Sequence, residues 1–172
     1  MTDGAYVFIE LDAVTRNFML EELELDIESR GHPYLGQVLT ARGLDDYVDL
    51  LRGVLTEGTE VELGAALAIH GRVADVPVNA ASRLACTEFN RYYIRGICMR
   101  ASSHGVTSVV GYRAHGSAVP RPGSVTLDGA VLPATRILAN LRDRQGLDTE
   151  SGLGRVNSGL SVRCGCAPCL EA

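Results

Sequence analysis

Cys164, Cys166 and Cys169 fall within six residues of one another and form the most chemically pointed stretch of the chain. Thiolates so spaced are soft ligands for Zn²⁺ or an iron centre. A closed tetrahedral zinc site takes four ligands, and no paired Cys-x-x-Cys or His-x-x-x-His occurs elsewhere. The fourth would come from His104, His115, a water or a second chain. The alternatives are a frayed terminus with loosely reactive thiols, or disulfide formation by the same cysteines. Cys86 and Cys98, on a helical stripe described below, read as core thiols.

A second set of residues carries positive charge. Glu88, Arg91 and Arg95 recur at i, i+3 and i+7 of one helical pattern, and Arg113, His115 and Arg121 follow it. Guanidiniums present planar donor forks to phosphate or carboxylate, so Arg91, Arg95, Arg113 and Arg121, assisted by Asn90 and His115, form a candidate anion-binding set. On the other reading Glu88 pairs with Arg91, and the face is solvated or bridges to a neighbouring helix. Asn90 likewise reads either as a ligand group or as a buried amide satisfied by backbone. No residue identifies itself as a nucleophile. The chain lacks Gly-x-Ser-x-Gly, His-Glu-x-x-His and a deaminase-type His-x-Glu with downstream Cys-x-x-Cys, and without lysine it has no phosphate-binding Gly-Lys-Ser/Thr loop. The expected role is therefore non-catalytic.

The elements that must position these groups centre on Asn79 to Gly105. Asn79 is a good N-cap residue, and Gly105 can take the left-handed conformation that ends a helix. Cys86, Phe89, Asn90, Tyr93, Ile94, Ile97, Cys98 and Ala101 fall on one half of the cylinder, opposite Glu88, Arg91 and Arg95. Ahead of this helix, Ala5 to Leu11 reads as a strand, and Asp12 caps a helix to about Ser29, stopped by Gly31. Its second half is crowded with Glu21, Glu22, Glu24, Asp26 and Glu28, at the end where the helix dipole disfavours negative charge. That face is either solvated or compensated by something basic. Tyr34 to Arg42 reads as a short helix stopped by Gly43, Asp45 as the cap of another through Thr56, and Thr59 with Glu62 as a capping box. Arg72 to Val78 is an extended connector.

Beyond the long helix, Val106 to His115 reads as a strand. If its Val110, Tyr112 and Ala114 face the core, Arg113 and His115 point outward together. Gly111 marks a bulge or a close backbone approach. Pro120 to Gly123 is a rigid loop carrying Arg121, Asp128-Gly129 signals a hairpin, Pro133 opens a helix to about Arg144, and Gly159 to Arg163 returns as a last strand.

Length and composition set the frame. A chain of 172 residues with 46% hydrophobic and 22% charged residues buries one good core. The expectation is a single domain over residues 1–163, of α/β (more narrowly α+β) class, helix-rich around a long central helix with a small mixed sheet, and a cysteine-bearing tail over 164–172. Sixteen arginines against 21 acidic residues, net −5, disfavour bulk nucleic-acid binding. No apolar run spans a membrane and no leader pattern opens the chain, so a cytoplasmic location is expected.

The runs Glu88-Phe89-Asn90-Arg91-Tyr92-Tyr93-Ile94-Arg95-Gly96 and Asn157-Ser158-Gly159-Leu160-Ser161-Val162-Arg163, with Pro77 to Ala81 and Tyr112 to Ala114, resemble an uncharacterised family of bacterial proteins associated with phages and other mobile elements. The resemblance covers the second half of the chain, implies a context and carries no catalytic residue across. Such chains end near Arg163, whereas this one runs on into its cysteines. Three roles are thus expected in order: an accessory protein binding an anionic ligand or acidic surface through its arginines, a zinc or iron thiolate protein, and a self-assembling structural protein.

Overall fold

The computed structural model describes residues 5–75, 77–116, 122–145, 152–154 and 158–166. Arg121, Cys169, Asn157 and Gly146 lie outside them, as does part of the loop expected at Pro120. Helices α1 (Ala13–Arg30), α2 (Ala41–Glu57) and α3 (Glu60–Ala68) precede the long α4 (Ala80–Ser103). Strand β1 (Ser108–Arg113), the single turn α5 (Pro122–Val125), β2 (Val131–Pro133), α6 (Ala134–Asp143) and β3 (Leu160–Cys164) follow. The architecture is the expected helix-rich α+β domain. Its small sheet has the order β2-β1-β3, with both pairings antiparallel.

Helix α4 is the axis of the molecule. It packs on α1, α3, α6 and β3, and every residue from Thr87 to Cys98 is buried. The expected division into an apolar half and a charged half therefore does not divide core from solvent, because neighbours cover both halves. Its N-terminus also differs from expectation: Asn79, at φ −97° and ψ 18°, makes no side-chain capping bond. The C-terminus behaves as its glycine requires. Gly105 has φ 70°, its N–H donates to Ser102 O at 3.0 Å, and Val106 N–H reaches back to Ala101 O at 2.9 Å. This is a Schellman closure that satisfies the last carbonyls.

Close approach at glycine sets how the layers meet. A Cβ on Gly96 would stand 2.9 Å from Met19 Cγ and 3.1 Å from Thr15 O, so the bare backbone is what lets α1 lie against α4. At Gly111 a Cβ would stand 2.2 Å from Leu127 O, the close backbone approach its place in the strand foretells.

Several local readings give way to tertiary contacts. Ala5 to Leu11 is no strand: it joins no ladder, and Ile9 and Glu10 form a turn. Val7 N–H donates to Ala114 O at 2.8 Å, and the other anchors are side chains: Tyr6 N–H to Glu60 at 2.8 Å and Glu10 N–H to the Tyr93 hydroxyl at 3.1 Å. Tyr34 to Thr40 is not helical, because Thr40 N–H donates to Arg72 O and Ala74 N–H to Val38 O, tying the segment to the connector. Helix α2 consequently starts at Ala41. Thr40 Oγ1 accepts from Gly43 N–H, so Gly43 lies inside the first turn, and Asp45 is no cap. The hairpin expected at Asp128-Gly129 fails on its first side: the segment before it is α5 and a turn, and β2 pairs with β1 instead. On β1 the buried face carries Val109 and Gly111, because α4 covers the side on which Val162 and Cys164 also lie; of the residues expected in the core only Ala114 is buried, and Val110 and Tyr112 are half-buried. The capping box holds, with Thr59 Oγ1 accepting from Glu62 N–H at 3.2 Å.

Candidate functional site

The C-terminal end of α4, the start of β1 and the end of β3 meet at one point. His104 is the C-cap of α4, and the turn at Gly105 sends the chain directly into β1. Register then aligns Val109 with Cys164. Two residues on, Cys166 lies beyond Gly165, whose Cβ position is 3.0 Å from Ser108 O, so the chain after β3 hugs the start of β1. One ligand atom each from His104, Cys164 and Cys166 lies within 4.8 Å of the other two. The imidazole is on the exposed side, and both cysteines are buried.

That donor set suits a borderline-soft cation. Zinc bound at about 2.3 Å to sulfur and about 2.0 Å to imidazole places neighbouring ligands nearly 4 Å apart, so the cluster is within about an ångström of closure. Cys164 is also fixed through its backbone, its N–H donating to Glu10 Oε2 at 2.6 Å. The nearby Cys98 is a different kind of cysteine. Burial, with Glu22 and Cys164 adding to it, pushes its thiol well above the ordinary range, so it stays protonated, as a core thiol should. Cys86 is only half-buried. His115, the other histidine considered for the fourth position, packs instead against Tyr6 at 5.2 Å.

The described arginines of the candidate set, Arg91, Arg95 and Arg113, do not share one surface. Arg95 is 2% exposed and is enclosed by α1: its Nε donates to Glu22 at 2.7 Å, and its terminal nitrogens reach Asp26 at 2.7 and 3.1 Å and Glu22 O at 3.1 Å. Tyr92 donates to Asp26 at 2.8 Å, and Arg142 from α6 closes on the other side of Glu22. Thus the acidic half of α1 is divided. Glu22 and Asp26 face inward to the arginines, while Glu21 and Glu28 remain outside and Glu24 pairs with Arg52 at 2.8 Å. Arg91, 5% exposed, donates to Gly154 O at 2.8 Å and Arg144 O at 3.3 Å. Asn90 is buried too, its Nδ2 donating to Leu160 O at 2.8 Å. Arg113 is half-buried at the last position of β1, opposite Leu160.

Glu88 is the group that sequence reasoning treated only as a partner. It is 3% exposed, its Oε1 lies 3.7 Å from Arg91 Nε, and that oxygen accepts no hydrogen bond. Burial pushes its carboxyl up to about 7 against the opposing charges of Arg91 and Arg95, with Asp26 adding to the rise. A glutamate at helical spacing from an arginine reads from sequence as a surface pair, so nothing in the pattern marked it. No helix among the described residues is long and apolar enough to cross a membrane. In comparisons with known proteins, no family model, no curated protein and no solved structure gives a significant match to this chain.

Proposed function

We propose that the chain is a metal-binding protein that holds Zn²⁺ through His104, Cys164 and Cys166. The observation that carries this reading is the convergence within 4.8 Å of three ligand atoms, one from His104 and two from Cys164 and Cys166, which lie 60 and 62 positions further along the sequence. Cys169, outside the described residues, follows Cys166 at a Cys-x-x-Cys spacing and would supply the fourth ligand. A Cys₃His set so completed would be a structural site without an open coordination position, in keeping with a non-catalytic role. The ion would join the end of α4 to the end of β3, elements otherwise linked through packing and β1.

Metal binding requires deprotonated thiols, so uptake releases protons and weakens with acid. Native mass spectrometry of anaerobically purified protein tests the proposal. The expected result is one zinc ion per chain, lost in Cys164→Ala and in Cys166→Ala. A metal-free spectrum after purification and after zinc addition overturns it.

A further inference from the structure

A cavity of about 310 Å³ opens between the Tyr34 to Val38 segment and the N-terminal half of α4. It lies on the other half of the helix from the metal centre. Sixteen residues of helix, about 24 Å, separate Glu88 from His104. The volume is at the lower end of the range for small-molecule sites, and the walls have their composition, apolar with a few convergent polar groups. Tyr34, Val38, Pro77 and Leu84 supply apolar surface, while Arg83 is exposed and Glu88 and Arg91 are buried.

Two features of this cleft point to a ligand. The Glu88 Oε1 atom is fully buried and accepts no hydrogen bond, a costly state for a polar atom unless something else completes it. The lining also carries two arginines and, among the described residues, no carboxyl other than Glu88. With Glu88 protonated the cleft is positive, and a neutral carboxyl has a proton to donate. Thr87 is not a donor to Glu88, since its hydroxyl donates to Arg83 O at 2.7 Å.

We infer that the cleft takes a small monocarboxylate with an apolar body, its carboxylate meeting Glu88 in the field of Arg91 and Arg83 and its hydrocarbon lying against Val38, Pro77 and Leu84. The pairing is a carboxyl donating to a carboxylate, a strong charge-assisted bond. An amine would instead need Glu88 ionised and would add a cation beside two arginines.

The groups facing Glu88 set its titration: Arg91 and Arg95 from α4, Asp26 from α1, and Tyr47 from α2, with Tyr34 at the rim. Because the carboxyl is held near 7, the binding-competent form dominates below that pH and is lost above it. Apparent affinity scales with the competent fraction, so it falls about tenfold between pH 6 and pH 8.

Calorimetric titration of the full chain with benzoate and with hexanoate, at both pH values, tests this. The expected result is binding at pH 6, about tenfold weaker at pH 8. Glu88→Gln, which keeps a neutral donor, should bind equally at both. Arg83→Ala, a change at an exposed residue that leaves the core intact, should weaken binding about threefold. Absence of binding by both probes at pH 6, affinity that rises with pH, or unchanged affinity in Arg83→Ala each overturns the proposal. So does preferential binding of hexylamine.

Discussion

Arg95 and Glu88 stand two turns apart on one helix, yet burial treats them in opposite ways. Every nitrogen of the Arg95 guanidinium has an acceptor on α1, so the charge is compensated where it lies. Removing one partner of a buried pair strands the others, and Arg95→Met, which leaves Glu22 and Asp26 in place, should lower unfolding free energy by about 3–5 kcal/mol in urea titration. By contrast Arg52→Ala, which breaks the part-exposed pair with Glu24, should change it by less than about 1 kcal/mol. Glu88 is compensated less: Arg91 Nε stands 3.7 Å from its Oε1, which accepts no hydrogen bond. Its folded carboxyl titrates near 7, above the ordinary 4.5, so the folded state binds the extra proton between those values. Stability from this group is therefore fully present below about 4.5 and is lost as pH rises through 7. Glu88→Gln should accordingly raise the melting temperature at pH 8, by the equivalent of up to roughly 3 kcal/mol, with the gain vanishing toward pH 4.5.

Between elements, the controlling contacts are backbone approaches that side chains would block. The α1 and α4 helices meet at Gly96, and the charge network beside it depends on that spacing. Gly96→Ala gains helix propensity of nearly 1 kcal/mol but forces Met19 and the Thr15 carbonyl away, an overpacking cost of about 1–3 kcal/mol. The balance should be net destabilisation, visible as a lower urea midpoint. Gly111→Ala should be worse, because the obstacle at 2.2 Å is the Leu127 backbone carbonyl, which no rotamer change removes. Some of this was legible. The Thr59 capping box, the Gly105 stop and the strand at Leu160 are local signals that local structure obeys. The Tyr34 to Thr40 segment and the start of α2 were not, since hydrogen bonds to the connector around Arg72 decide both.

At the scale of the molecule, the metal proposal makes a regional forecast. The ion would join α4 to β3 at one end, leaving the contacts of α1, α2 and α3 untouched. Removing it with a chelator should speed amide exchange in β3 and lower the melting temperature, with little change in α2. Uniform protection with and without chelator would place no metal at that junction.

The sequence by itself determined the class of the fold, the long axial helix and its C-terminal stop, because composition and capping chemistry act locally. It also displayed both halves of the charge network, the acidic end of α1 and the arginines of α4, and both parts of the proposed metal site, the cysteine tail and His104. Only the tertiary structure decided how they combine. Glu88, Arg91 and Arg95 read alike on a solvated face or an interior one, and the difference lies in what packs against them. Likewise the sequence offered His104 and His115 beside a water or a second chain, and the register of β1 against β3 brings Cys164 to the α4 end of the sheet, where His104 stands. Helix caps depend on neighbours a turn away, whereas the ion pairs of Arg95 and the approach of His104 to Cys164 depend on chain segments brought together from 60 or more residues apart, which no local pattern encodes.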